Sequence, residues 1–178
     1  MLRPALISIA LTLATDACLA QSHQPYAGLE GRPIKALSDQ QVSDLRAGRG
    51  MGLALAAELN GYPGPMHVLE LADSLALSDQ QRSKMQGLFA AMRAEAIPLG
   101  DKLIAQEAEL DRQFANKTIS SASLADSMAA IGTTQAALRQ AHLKYHLSTA
   151  EELTPAQVQR YGELRGYTAG TQHPRGRH

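Results

Sequence analysis

Two stretches of the chain repeat their inward-type positions in alternating steps of four and three. The first runs Met85, Phe89, Met92, Ala96, Leu99, Leu103, Gln106, Leu110, and the second Leu124, Met128, Ile131, Gln135, Leu138, His142, Tyr145, Thr149. A helix turns once in about 3.6 residues, so this rhythm lays each set along one side of a long helix, as in the seam of a bundle. Asn116-Lys117-Thr118 between them predicts a turn. The two stripes then face one another as an antiparallel hairpin. Pro98 falls inside the first stripe, whose register is the same on both sides of it. The expectation is a kink and not an end. No strand-type alternation occurs anywhere, so the predicted fold class is all-α: a long antiparallel helical hairpin with shorter flanking helices.

A five-residue motif, Leu-[Ser/Thr]-x-x-Gln, marks where helices begin. It occurs at Leu37–Gln41, Leu77–Gln81 and Leu153–Gln157. The hydroxyl accepts from the backbone N–H three residues on, and the Gln side chain reaches back to the N–H of the capping residue. The leading Leu is the outer half of a hydrophobic staple. Val42 and Val158 complete it in the first and third copies, whereas the second has Arg82 at that place. Pro155 stands at the first helical position, where a missing N–H costs nothing. These signals predict helices over 38–46 and 154–165 and the start of the long helix at Ser78. A helix over 66–75 follows the breaker Asn60-Gly61-Tyr62-Pro63-Gly64-Pro65, and the second long helix spans about 120–150.

The start of the chain has the form of an export signal. Arg3 is followed by an apolar run from Pro4 to Ala14, and Cys18-Leu19-Ala20 supplies small residues for cleavage after Ala20. An uncleaved anchor and a lipidated start are the alternatives, and Asp16 speaks against both. The expected organisation is a signal peptide over 1–20, a flexible leader with short helices over 21–63, a helical hairpin domain over 64–167 and a disordered tail over 168–178. Cleavage removes Cys18, the one cysteine, and leaves an exported domain without disulfides.

Charge narrows the partners. The chain has 17 basic and 17 acidic residues, and loss of Arg3 and Asp16 takes each count to 16. A balanced chain gives no electrostatic reason to bind nucleic acid or an anionic membrane. Trp is absent, so the core must be built from Ala, Leu, Met and Ile.

His142-Leu143-Lys144-Tyr145-His146 is the sharpest candidate for chemistry. Two His at i and i+4 project from one helix face and can meet one Zn, Ni, Co or Cu ion. At least one more ligand is needed. His67 and Glu70, at i and i+3 on the 66–75 helix, are the proposed completions, with Glu58, Met66 and Glu95 as further options. A turn centred at residue 118 places Ala94 across from His142 and Ala90 across from His146, leaving space beside the rings. The competing reading makes His142 a hydrogen-bonded seam residue and His146 a solvated one.

Met51, Met66, Met85, Met92 and Met128 admit a soft-metal role, but three of them lie in the stripes and read as core filler. The charge run Glu107, Glu109, Asp111, Arg112 reads as a solvated face, or else as the wall of a client cradle beside Leu110 and Phe114. His173 and His178 belong to a loose tail. No Gly-x-Ser-x-Gly, phosphate loop, dinucleotide fingerprint or His-Glu-x-x-His occurs. The expectation is a binding protein, not an enzyme, with no organic cofactor.

The three motif copies, the export signal, the long hairpin and the cysteine-free mature chain resemble the Spy/CpxP-like (LTXXQ-motif) periplasmic family. That family includes envelope-stress chaperones, zinc-resistance-associated proteins and periplasmic heavy-metal sensors. The resemblance covers about residues 64–167. It implies a helical protein, often a homodimer, that either cradles unfolded clients or binds divalent metal through His and carboxylate side chains. The metal-sensor branch places ligands on such a helix, which carries over to His142 and His146. The neutral charge departs from the basic cradle of the chaperone branch, and loss of the apolar start departs from the tethered sensors. The leading expectation is a periplasmic protein that binds or senses a metal ion in envelope stress or metal tolerance. The alternatives are an ATP-independent chaperone and a metal-free adaptor to a membrane sensor.

Overall fold

The structure, a computed structural model, describes residues 26–167. The expected signal peptide with Cys18, the tail 168–178, His173 and His178 lie outside the described residues. Six helices occur among the described residues: α1 Asp39–Arg46, α2 Leu55–Glu58, α3 Pro65–Glu70, α4 Asp79–Ala115, α5 Ser121–Glu152 and α6 Pro155–Leu164. No strand is found among them. The fold is all-α, and α4 and α5 form the long hairpin.

All three motif copies do what their chemistry predicts. In each, the Ser or Thr hydroxyl accepts from the third helical N–H and the Gln side chain accepts from the cap's own N–H. Ser120 and Ser123 make a fourth box at the start of α5, with a Ser in the role of Gln. Two of the Gln residues do more than cap. Gln81 Nε2 donates to Gln157 Oε1 at 2.9 Å, and Gln157 Nε2 returns a bond to Gln81 Oε1 at 3.1 Å. Gln81 also donates to the Glu152 carbonyl and Gln157 to that of Leu75. The second and third helix starts are thus tied to each other and to the ends of the segments before them.

α4 continues through Pro98, as the unbroken register predicts. Its C-cap is Asn116, and Lys117 takes a left-handed φ of 54° to turn the chain. The helix expected over 66–75 is shorter: α3 ends at Glu70. Ala72 N–H bonds back three residues to Leu69, a tightening that ends the regular ladder. Ala76 adopts a φ of 48°, and Leu77 N–H reaches Ala72 O at 3.0 Å. This closure delivers Leu77 and Ser78 to the start of α4.

Two apolar clusters hold the helices. One, at the open end of the hairpin, joins Val68, Ala72, Leu75, Leu77, Met85, Leu153 and Tyr161. The other joins Leu45 of α1 to Ala96, Leu103 and Ile104 of α4 and to Ile131 and Leu138 of α5. Part of the segment expected as a flexible leader is therefore packed. It is seated at Gly100, where an added Cβ would stand 2.5 Å from the Leu45 carbonyl oxygen. The α5 stripe departs from its expected course. Thr134 is buried where Gln135 was expected, and Leu124 and Met128 are exposed. The seam runs one position earlier there, through the half-buried Ser123 and Ser127 to Ile131 and Thr134, which turns Leu124 and Met128 outward.

Candidate metal centre

A cavity of about 560 Å³ opens between the loop 47–55, the start of α3 and the flank of the hairpin. His142 and His146 from α5, His67 from α3 and Glu58 from α2 all line it. Glu70, the other expected ligand, is exposed and does not line the cavity. The carboxylate brought to the imidazoles is Glu58. It reaches them because the chain doubles back after α2: Gly61 takes a φ of 83°, and Gly64 N–H donates to Glu58 Oε2 at 3.2 Å.

The space beside the rings has a different origin from the expected one. Ala90 and Ala94 are exposed on the outside of α4. Two loop glycines make the room instead. A Cβ on Gly50 would stand 3.5 Å from His142 Nδ1, and one on Gly64 would stand 2.9 Å from His146 Nε2.

The three imidazoles are held differently. His146 is 7 % exposed, and its Nδ1 lies 2.7 Å from the Tyr62 carbonyl oxygen. A carbonyl only accepts, so Nδ1 carries the proton and Nε2 keeps the lone pair that a metal would use. His142 is 2 % exposed, and its Nε2 is buried without any hydrogen-bond partner. Leaving a buried polar atom unpaired costs about 1–3 kcal/mol, so this nitrogen would gain from a partner. Burial, and then the neighbouring His146, push the His142 pKa below its ordinary value and keep the ring neutral, the form that ligates metal. His67 Nδ1 is also buried without a hydrogen bond; it stands 3.5 Å from Glu58 Oε1, in reach for charge attraction but out of hydrogen-bond alignment.

Glu58 is the hub of this end of the molecule. It is 6 % exposed. Its oxygens accept from Gly64 N–H, from the Tyr161 hydroxyl, and from the Tyr167 hydroxyl at 3.1 Å. Arg165 Nε stands 3.9 Å away and His146 Nδ1 3.6 Å away. Burial opposes the charge, but His67 and the two tyrosine hydroxyls outweigh it and hold the carboxyl down at about 2. The reciprocal effect, burial first and then the carboxylate, raises the Tyr161 hydroxyl above its ordinary value. The carboxylate thereby ties α2 and the 59–64 turn to the end of α6, and three of its four or so lone pairs are already engaged.

The imidazoles fit a metal ion in chemistry: one ring, His142, kept neutral by burial, one lone pair oriented by a carbonyl, and two buried nitrogens without partners. The oxygen donors fit less well. Among the described residues no group of three or more His, Cys, Asp or Glu side chains is disposed to hold a metal ion. Glu95, a further option from the sequence, is occupied by Lys144 at 2.6 Å and the Tyr145 hydroxyl at 2.6 Å.

A family model described as heavy-metal resistance matches residues 50–160. That span takes in most of the cavity loop, the whole hairpin and just over half of α6. The protein is thus a helical heavy-metal resistance protein, and the chain belongs to the Spy/CpxP-like periplasmic metal-resistance family. No curated protein matches it, and no solved structure does.

Proposed function

We propose that this protein binds a divalent transition metal ion in the cavity, with His142 and His146 as primary ligands and His67 as the third. The observation that carries this reading is the meeting of three imidazoles on one cavity, with the Nε2 of His142 buried and unpartnered. Membership of a heavy-metal resistance family supports it. Glu70 has no part in it. Glu58 acts as a support that positions His67 and the turn behind His146. Its role there is that of an outer partner, which in metal sites orients the ligands and tunes their basicity. On this reading the protein is a binding or sensing protein of the periplasm and not an enzyme.

Metal content and calorimetric titration of the untagged protein test this directly. One equivalent of Zn(II), Ni(II) or Co(II) is expected to bind to wild type, and H142A and H146A to lose it. Unchanged binding in both variants contradicts the proposal.

A second reading has its own observation. Phe114, Leu124 and Met128 are 54 %, 37 % and 51 % exposed near the hairpin turn. An apolar patch of this kind supports shielding of unfolded clients. A chaperone would suppress aggregation of a denatured client with or without chelator, and F114S/M128S would lose that effect. A metal-free adaptor to a membrane sensor would be inactive in both assays.

A further inference from the structure

The cavity contains sulfur as well as nitrogen. Met51, Met66 and Met92 line it together with His67, His142 and His146. Met92 is buried in the wall, but Met51 and Met66 are 43 % and 39 % exposed, so neither serves as core filler. Met51 is also held at a φ of 43°, a region that residues other than glycine seldom occupy. Gly50 and Gly52 flank it, and a shape sustained against backbone preference is a mark of a functional position. By contrast Met85 is fully buried in the core, and Met128 lies far along α5; neither lines the cavity.

Hard donors are scarce in the same place. Glu58 spends its oxygens on Gly64, Tyr161 and Tyr167. Two guanidinium groups line the cavity. Arg49 is neutralised by Asp44 at 2.6 Å, whereas Arg93 lies over the Phe89 ring and has no carboxylate partner among the described residues. A doubly charged ion entering such a site is repelled by Arg93 and finds its one carboxylate, Glu58, already accepting three hydrogen bonds. A singly charged ion meets half that opposition. Thioethers and imidazoles are neutral, polarisable donors that favour soft monovalent ions over hard or borderline divalent ones.

We infer that the cavity is a mixed thioether–imidazole site for a soft monovalent metal ion, Cu(I) or its redox-inert counterpart Ag(I), with Met51 and Met66 joining His142 and His146. This rests on the reading of the same cavity as a metal site and replaces its divalent ion by a softer one.

The test uses Ag(I) on untagged protein carrying 13C-labelled methionine methyls, in chloride-free buffer. The methyls of Met51 and Met66 are expected to shift at one equivalent, with those of Met85 and Met128 as internal standards that stay in place. The M51L/M66L variant keeps side-chain volume and should weaken Ag(I) binding by on the order of tenfold or more, the scale of one or more lost donors. Its circular dichroism and melting curve check that the fold is retained. If Ag(I) leaves the Met51 and Met66 methyls unmoved while Zn(II) binds in a His142-dependent way, the soft-ion inference is wrong and the divalent proposal survives. If neither ion binds, both fall.

Discussion

The two ends of the α4–α5 hairpin are made from the same two helices and behave differently. At the open end α3 and α6 pack on the hairpin, and Val68, Met85 and Tyr161 are at most 1 % exposed. Near the turn no third helix packs on the pair, only the 34–37 segment reaching Asp111 through Lys35, and Phe114, Leu124 and Met128 stand open. The sequence rhythm is identical in both places. A two-helix ribbon has one seam, and residues on its flanks are buried only where a third element covers them. Polar chemistry follows the same division. At the turn, Glu109 and Arg112 form an exposed i,i+3 pair. At the open end, Glu58 and Tyr161 form a buried pair, joined by the exposed Tyr167 and tied to two histidines.

A matched pair of methionines gives the sharpest break between the ends. M85A empties a fully buried position and is expected to cost about 2–5 kcal/mol. M128A removes a side chain already half in water and should change stability by less than about 0.5 kcal/mol. Urea unfolding curves check both. Comparable losses would mean that the turn end is covered by a second chain or another partner.

Acid should loosen the open end first. The Glu58 carboxyl titrates at about 2 in the folded chain against an ordinary 4.5. A lowered folded value means that its contribution is complete above about pH 4.5 and is lost as the pH falls toward 2. The loss is at most about 3 kcal/mol. Melting followed through that window should show it for wild type, and E58Q, less stable from the outset, should show a flatter profile. An unchanged profile in E58Q would remove Glu58 from the network.

A smaller effect separates the motif copies. Q157A loses a cap partner and the reciprocal bonds with Gln81, and should cost about 1–2 kcal/mol. Q41A loses only its capping bond and should cost about 0.5 kcal/mol. Equal costs would show that the Gln81–Gln157 pairing adds nothing.

What the sequence made legible was local. Ser38, Ser78 and Thr154 mark helix starts because a cap needs only residues three positions apart, and the Asn116–Thr118 turn breaks an otherwise continuous rhythm. The His142–His146 pair was visible for the same reason, being one turn of one helix. The Glu58 hub was not. Its partners Tyr161 and Tyr167 lie 103 and 109 residues away, and it meets His67 only because the 59–64 segment folds back on itself. Glu70 looked better by spacing, but α3 stops at that residue and leaves it in water. The glycines at 50 and 64 read as breaks in structure, whereas their use is to clear room for two rings. The Gln81–Gln157 pairing was hidden too, since a capping Gln gives no sign of a second partner.

The central claim is that the two α5 imidazoles bind metal in the cavity, and melting with and without metal tests it most directly. Ions at about a hundred times their dissociation constant stabilise a protein by about 2.7 kcal/mol, a rise of roughly 5–10 °C for a chain of this size. Wild type is expected to show that rise with Zn(II), Ni(II) or Ag(I), and H142A to show none. A rise of equal size in H142A, or no rise in wild type with any of the three, would contradict the claim.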